Sequence, residues 1–534
     1  MRVSWLQITK GDWDGFFGLG LNNFINLLLI ISLSQSVLGF SEELIVFRVL
    51  PGMAIGLFFG NLYYSWQARD LARKTGRTDV CALPYGINLL PIFFYTFYVM
   101  LPAQQIALAG GADKLEADKI AWMAGVLAGI GSGLIELLGA YFAPYLKKIT
   151  PRAALLSALA AIGLFFITAD YTFRAYAYPI IGLPTLFLTM YLLYGSVKMR
   201  WNLPAGLIVL AVGISIAWIT YWLGMPSPVQ DLKSSTLSLG LYIPLPYGLE
   251  ALLEIRQMLA FAAVIIPMGL INLIGSLQCL ESASAAGDDY PIKSSLAVNG
   301  IGTLIASGFG SPFPTTIFFG HPGWKALGAG PAYSLMNGVA MAALCLTGTL
   351  GLLSEYIPIE AGMAILIWIG FSTASQAFQV VPRSHVPAVI AGILPGIGAF
   401  CALIVKRVLG AVGYGTPEQP YTAGLIETLT REGNLYVMGL FALEQGWIYT
   451  SVVFASITVA IIDKQFFSFL GWLAAAGVLS VIGIIHNFNI LDSDITTKLG
   501  PAWNWVWGYT LTLLVLALVR FSLVLGHTEN KSTD

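Results

Sequence analysis

The chain has 534 residues, 57% of them hydrophobic and 10% charged, and its net charge at neutral pH is −1. Soluble domains carry about 25% charged residues, so a water-soluble enzyme is excluded. A balance this close to neutral also excludes a nucleic-acid partner.

Apolar runs long enough to cross a hydrocarbon core of about 30 Å recur along the whole length. The first half carries predicted spans at 15–38, 43–66, 82–101, 120–146, 152–169, 177–197 and 203–224. The second half carries them at 256–280, 294–309, 313–330, 332–354, 360–378, 385–405 and 445–462, and two more follow at 466–486 and 502–526. Met1 to Asp12 does not read as a cleavable signal peptide, because the first apolar run is too long and is flanked by Trp13 and Asp14. Basic residues gather in alternate loops: Arg69, Arg73, Lys74 and Arg77, then Lys147, Lys148 and Arg152, then Lys198 and Arg200. The positive-inside rule therefore predicts a multi-pass protein of the plasma (inner) membrane with a cytoplasmic N-terminus. Lys406 and Arg407 disturb the alternation. A re-entrant pair hinged at Pro395-Gly396 would return them to the inside and is the preferred expectation; a simple crossing over 385–405 is the alternative. Trp13, Trp66, Trp201, Trp222, Tyr356, Trp447, Trp503 and Trp507 stand near span ends as an interfacial belt.

Two segments are broken. The third contains Leu83-Pro84-Tyr85-Gly86, and the tenth contains Ser311-Pro312-Phe313-Pro314-Thr315-Thr316. Proline removes a backbone donor and glycine loosens the chain. In hydrocarbon, freed backbone groups survive only within protein or around a water-filled site. Each break falls in the third segment of its half, and the odd number of preceding spans inverts the second half. Paired breaks in inverted halves point to a midplane transport site. Plain Pro/Gly kinks are the alternative reading.

Several polar residues lie in or beside these spans. Asn22, Asn88 and Asn272 are amides in apolar surroundings, suited to substrate contact or to interhelical hydrogen bonding. Tyr85, Gly86, Ser276, Thr315 and Thr316 offer backbone and hydroxyl groups at the breaks. Phe318 and Phe319 suit stacking on a flat ring, or core packing. Glu136 lies inside span four, where a carboxylate costs about 2.5–3.5 kcal/mol on insertion scales and must face protein or water. Proton coupling and a structural network both fit it. Glu281 reads either as a solvated helix-end carboxylate or as a coupling acid. His321 reads either as a proton carrier or as a helix-start residue bonded to backbone. His385, His486 and His527 fall at span ends or in the tail. Cys81, Cys279, Cys345 and Cys401 lack pairwise spacing and read as small core residues. No HExxH, P-loop, CxxC or Gly-x-Ser-x-Gly motif occurs, so no enzyme chemistry, cofactor or metal is expected.

Four stretches resemble the nucleobase–cation symporter-2 (xanthine/uracil permease) superfamily, and its AzgA-like purine permease branch in particular. Leu19-Gly20-Leu21-Asn22-Asn23 resembles the first-helix Gly-Leu-Gln-His pattern, and Ala82 to Asn88 resembles the branch's Ala-Pro-Gly-Met-Gly-Leu-Asn-Ala stretch. Asn272 to Ser276, with Gly287-Asp288-Asp289-Tyr290-Pro291 after it, resembles the Asp-Thr-Ile-Gly-Thr helix and its acidic loop. Gly310 to Gly323 resembles the Gly-Thr-Ser-Thr-Thr-Thr segment. The resemblance covers about residues 13–405 and leaves the last two spans without counterpart.

It implies an all-α polytopic fold of two inverted seven-helix repeats, here 13–224 and 254–463, with extra C-terminal helices over 464–526. It implies short antiparallel strands in segments three and ten. Spans one to four and eight to eleven would form a substrate-carrying core, with spans five to seven and twelve to fourteen as a gate and a possible homodimer interface. The implied function is secondary active transport of a small nucleobase-like solute by alternating access, coupled to a proton or sodium ion, in contact with membrane lipids. The family's two site acids fall on Asn272 and Phe319 in this sequence. An amide cannot titrate, which keeps open an anion transporter or channel of the same fold, or a non-transporting scaffold. The implied substrate-binding set is Asn22, Tyr85, Gly86, Asn88, Asn272, Ser276, Thr315, Thr316, Phe318 and Phe319, with Glu136, Glu281 and His321 as candidate proton-coupling groups.

Overall fold

The computed structural model describes residues 8–195, 203–231, 238–254, 261–416, 419–491 and 495–529. Lys198, Arg200 and Trp201 lie outside the described residues. The protein is an all-α polytopic membrane protein with short antiparallel strands. Numbered by span, the elements of the first half are α1 (Lys10–Ser36), α2 (Glu42–Thr75), β1 (Tyr85–Ile87), α3 (89–109), α4 (Lys114–Ile149), α5 (Arg152–Ala177), α6 (Pro179–Leu193) and α7 (Ala205–Trp222). Next come α8 (Ala262–Ala285), α9 (Ile292–Gly308), β2 (Thr315–Ile317), α10 (His321–Ala326), α11 (Ala332–Thr347), α12 (Met363–Gln379) and α13 (Val386–Ala411). The chain ends with α14 (Trp447–Ile462), α15 (Phe466–Ile482), β3 (Phe488–Ile490), β4 (Ile495–Thr497) and α16 (Trp503–Glu529).

Among the described residues, seven helices are long and apolar enough to cross a membrane: α1, α2, α4, α5, α7, α8 and α13. The short helix Val437–Glu444 and α14 qualify together as an eighth, bent by 91°. Wide π turns interrupt α2 at Ile45–Val49 and α3 at Thr96–Met100, and each ends just before a proline, Pro51 or Pro102. The wider turn absorbs the clash between the proline ring and the carbonyl four residues back.

The described chain packs as two compact units, Met1–Ile149 with Ile162–Gln376, and Thr150–Ala161 with Ala377–Asp534. Each unit draws on both sequence halves. The first holds α1–α4, α8–α11 and both strands at the breaks. It also holds α6 and α7, which the resemblance assigns to a gate. The reason is local: the Gly206 amide at the start of α7 donates to Asp14 of α1 at 3.0 Å, and Gly213 of α7 lies against the Ala361 backbone.

In the second unit the preferred re-entrant pair does not occur. α13 runs unbroken through Pro395 for 26 residues. Two glycines let it pack closely: a Cβ on Gly392 would meet Ser157 of α5, and one on Gly396 would meet Ala161 and Trp447. His385 at one end of α13 bonds Asp463, while Lys406 near the other end pairs with Glu444 at 2.7 Å. That ion pair removes the electrostatic reason for returning Lys406 to the starting side. The hairpin β3–β4, in register Asn489↔Thr496, joins α15 to α16.

Candidate functional site

The two broken segments meet. β1 and β2 pair antiparallel in the register Tyr85↔Ile317, Gly86↔Thr316 and Ile87↔Thr315. The ribbon is extended by Phe318 N–H donating to Pro84 O at 2.8 Å and Asn88 N–H donating to Pro314 O at 3.3 Å. Antiparallel pairing is what two segments entering from opposite faces produce.

A two-stranded ribbon leaves its outer edges unpaired, which is costly in a dry interior. Side chains satisfy them here. Asn23 acts like a neighbouring strand: its Nδ2 donates to Tyr85 O and its Oδ1 accepts from Ile87 N–H, both at 3.2 Å. Asn26 donates to Ile87 O at 3.1 Å, and Asn61 of α2 donates to Tyr85 O at 3.2 Å. On the β2 edge, Thr303 Oγ donates to Thr315 O at 2.9 Å and accepts from Thr315 N–H at 3.2 Å. Asn299 Oδ1 accepts from Ile317 N–H at 3.1 Å. Gly86 is required for this clamp, since a Cβ there would lie 2.3 Å from Asn23 Oδ1.

Asn299 is the hub of a second set of contacts. Its Nδ2 donates to Glu136 Oε1 at 3.0 Å and to Ser276 Oγ at 2.8 Å. Ser276 Oγ in turn lies 3.0 Å from Thr316 Oγ. One turn earlier on α8, Asn272 Oδ1 accepts from Asn88 Nδ2. Glu136, Asn299, Ser276, Asn272 and Thr316 are all buried, and Asn88 is half-buried. Glu136 Oε2, Asn272 Nδ2 and Asn22 Nδ2 are buried with no hydrogen-bond partner among the described residues. The group thus offers amide donors and acceptors, hydroxyls and one carboxylate that lacks a cation partner among the described residues.

The structure brings Asn88, Asn272, Ser276, Thr316 and Glu136 together. It places other expected site residues elsewhere. The Tyr85 ring fits between Gly60 and Gly302, and its hydroxyl meets Thr315 Oγ at 2.5 Å. Both groups face the scaffold. Tyr85→Phe is expected to cost about 1 kcal/mol in thermal unfolding, with ligand selectivity unchanged. Phe318 and Phe319 are half-buried and lie against each other, centroids 4.0 Å apart. Asn22 shows no contact with the Asn299 group, whereas its neighbour Asn23 holds the ribbon. The half-helix α10 has only six residues. Asn23, Asn26, Asn61, Asn299 and Thr303 were not anticipated. Their signal was present as amides and a hydroxyl in apolar spans, spaced three or four apart within α1 and α9.

His321 is held by hydrogen bonds and Glu281 by an ion pair. His321 Nε2 faces two acceptors, Cys81 O at 3.0 Å and Asp288 Oδ2 at 3.2 Å, so Nε2 carries the hydrogen. Asp288 also accepts from Cys81 N–H at 3.0 Å, Lys325 at 2.6 Å and Arg77 at 3.0 Å. Its loop therefore ties the entry of segment three to α10. Glu281 is buried rather than solvated, and pairs with Lys147 at 3.0 Å.

Burial opposes the charge on Asp288, but hydrogen bonds from His321, Lys325 and the Cys81 amide outweigh it and hold the carboxyl below its ordinary 3.8. A depressed folded value contributes stability that is complete above the unfolded value and is lost as pH falls through the folded one. Thermal unfolding should therefore shift little from neutral pH down to the ordinary carboxylate value and fall steeply below it. Asp288→Asn should be less stable at neutral pH and lose less on acidification.

Comparison with family models and with curated proteins gave no match. Among solved structures the chain is similar to the transmembrane domain of a cyanobacterium bicarbonate transporter, BicA, at 16% identity and a TM-score of 0.41, over 76% of this chain and 97% of that one.

Proposed function

We propose that this protein is a secondary active transporter for a small polar, nucleobase-like solute, working by alternating access on two inverted seven-helix repeats. The observation that carries the reading is the β1–β2 ribbon. It joins both broken segments at one place and gathers Asn88, Asn272, Ser276 and Thr316 beside it. Amides and hydroxyls suit the donor and acceptor edge of a purine or pyrimidine. A buried amide with an unused N–H group, Asn272, suits a carbonyl oxygen of such a ring.

Glu136 is the group proposed to hold the coupling proton or sodium ion. An ionised carboxylate with one donor and no cation is expensive when buried, and a bound cation relieves that cost. Asn299 then links its state to β2. His321 and Glu281 have structural roles in this reading, because His321 is hydrogen-bonded between Cys81 O and Asp288 and Glu281 is paired with Lys147. The N-terminus is proposed to be cytoplasmic. Three ties in the first unit, Arg77–Asp288, Lys147–Glu281 and Asp12 with the Gly330 amide, group the basic loops with the N-terminal end of α1.

Uptake of radiolabelled purines and uracil by a transport-deficient host is the test. Saturable uptake of one base, lost in Asn272→Leu, is expected. No uptake of any base by well-expressed protein would sink the assignment. The unused Asn272 donor equally favours an anion, so anion flux in liposomes that is insensitive to bases selects that second reading.

A further inference from the structure

The second unit contains a groove that the transport reading does not use. It has a volume of about 870 Å³ and runs between α14 and α16, with Phe466, Phe469 and Leu473 of α15 also lining it. One face of α14 lines it at Thr450, Val453, Ile457 and Ile461, and α16 faces them with Tyr509 and Leu516. From Thr450 to Ile461 the wall is about 16 Å long at 1.5 Å per residue. That is close to one leaflet, half of a hydrocarbon core of about 30 Å.

The two ends differ chemically. At the inner end, buried His486 stacks on Trp505 with centroids 4.1 Å apart. Its Nδ1 meets Ala442 O at 3.1 Å and its Nε2 meets the Tyr509 hydroxyl at 2.8 Å. These polar atoms satisfy one another, so this end asks nothing of a ligand but apolar contact. At the other end stands Lys464, exposed, and without an ion-pair partner among the described residues. Its neighbour Asp463 is bonded to His385 at 2.9 Å.

We propose that this groove binds a single anionic phospholipid, with an acyl chain along α14 and α16 and the phosphate at Lys464. An apolar channel of one-leaflet length fits a chain, and a lone cation at its mouth fits an anionic headgroup. The proposal does not depend on the identity of the transported solute.

The test is native mass spectrometry of the delipidated full-length protein in mild detergent, titrated with phosphatidylglycerol and with phosphatidylcholine. Wild type is expected to retain one phosphatidylglycerol in preference to phosphatidylcholine. Lys464→Glu should reduce that preference about tenfold. Thr512→Trp places a large ring in the groove from an exposed position, and should reduce retention of both lipids severalfold. The thermal melting of both variants should stay close to wild type. Unchanged lipid retention and preference in the two folded variants would overturn the proposal. So would disulfide cross-linking of two copies through Thr512→Cys with no dependence on added lipid, since a second chain would then fill the groove.

Discussion

Replacing Asn299 with leucine is expected to abolish uptake and to lower the stability of the protein by about 2–6 kcal/mol, since each buried polar group left without a partner costs roughly 1–3 kcal/mol. The substitution leaves Ile317 N–H without its acceptor and Glu136 Oε1 without its donor, while Ser276 Oγ, which also loses Asn299, keeps Thr316 Oγ. Thermal melting in detergent reads the stability loss, and whole-cell uptake reads the function. Asn299→Asp separates the two effects. It keeps an acceptor for Ile317 N–H, so the ribbon should persist. It places a second carboxyl beside Glu136, so any remaining uptake should need a more acidic medium. Melting of Asn299→Leu within 1 °C of wild type would show that β2 is held by other means.

Glu136→Gln is expected to uncouple transport without unfolding the protein. Glutamine keeps an oxygen for the Asn299 donor but cannot take up a proton. For one coupled proton, a gradient of about one pH unit supports roughly tenfold accumulation. The variant should equilibrate its substrate across the membrane yet still exchange it against preloaded substrate. Accumulation that persists at the wild-type level in a pH gradient would remove Glu136 from the coupling role. Sodium-driven accumulation lost in the same variant would assign the site to that ion instead.

Much of this architecture was legible because membrane spans announce themselves by length. The breaks at Pro84 and Pro312–Pro314 were legible because proline and glycine have few roles in an apolar run. That these breaks become strands, and pair, followed from the resemblance and is seen directly in the register of Gly86 with Thr316. The course of 385–405 was misread because Lys406 looked stranded, and only tertiary structure brings Glu444 to it. The hairpin at Phe488–Ile490 and Ile495–Thr497 was missed because three residues per strand are too few to show an alternation. Within the site, Tyr85 drew attention by its position, yet its hydroxyl is used by Thr315. The amides that do the holding, Asn23, Asn61 and Asn299, look in sequence like any other polar residue in a membrane helix.

The ribbon has a consequence for how the chain is made. β1 is synthesised with α1 and α2 already present, so Asn23, Asn26 and Asn61 can satisfy one of its edges at once. Its other edge, from Pro84 O to Asn88 N–H, waits for β2, whose Thr315 lies 230 residues further along the chain than Tyr85. Until then those backbone groups need water or an insertion factor beside them, because lipid offers no partner. Segment three is therefore expected to be the last part of the first half to settle in the membrane. A nascent chain truncated before Ser311 should leave Cys81 open to a water-soluble thiol reagent that the finished protein excludes.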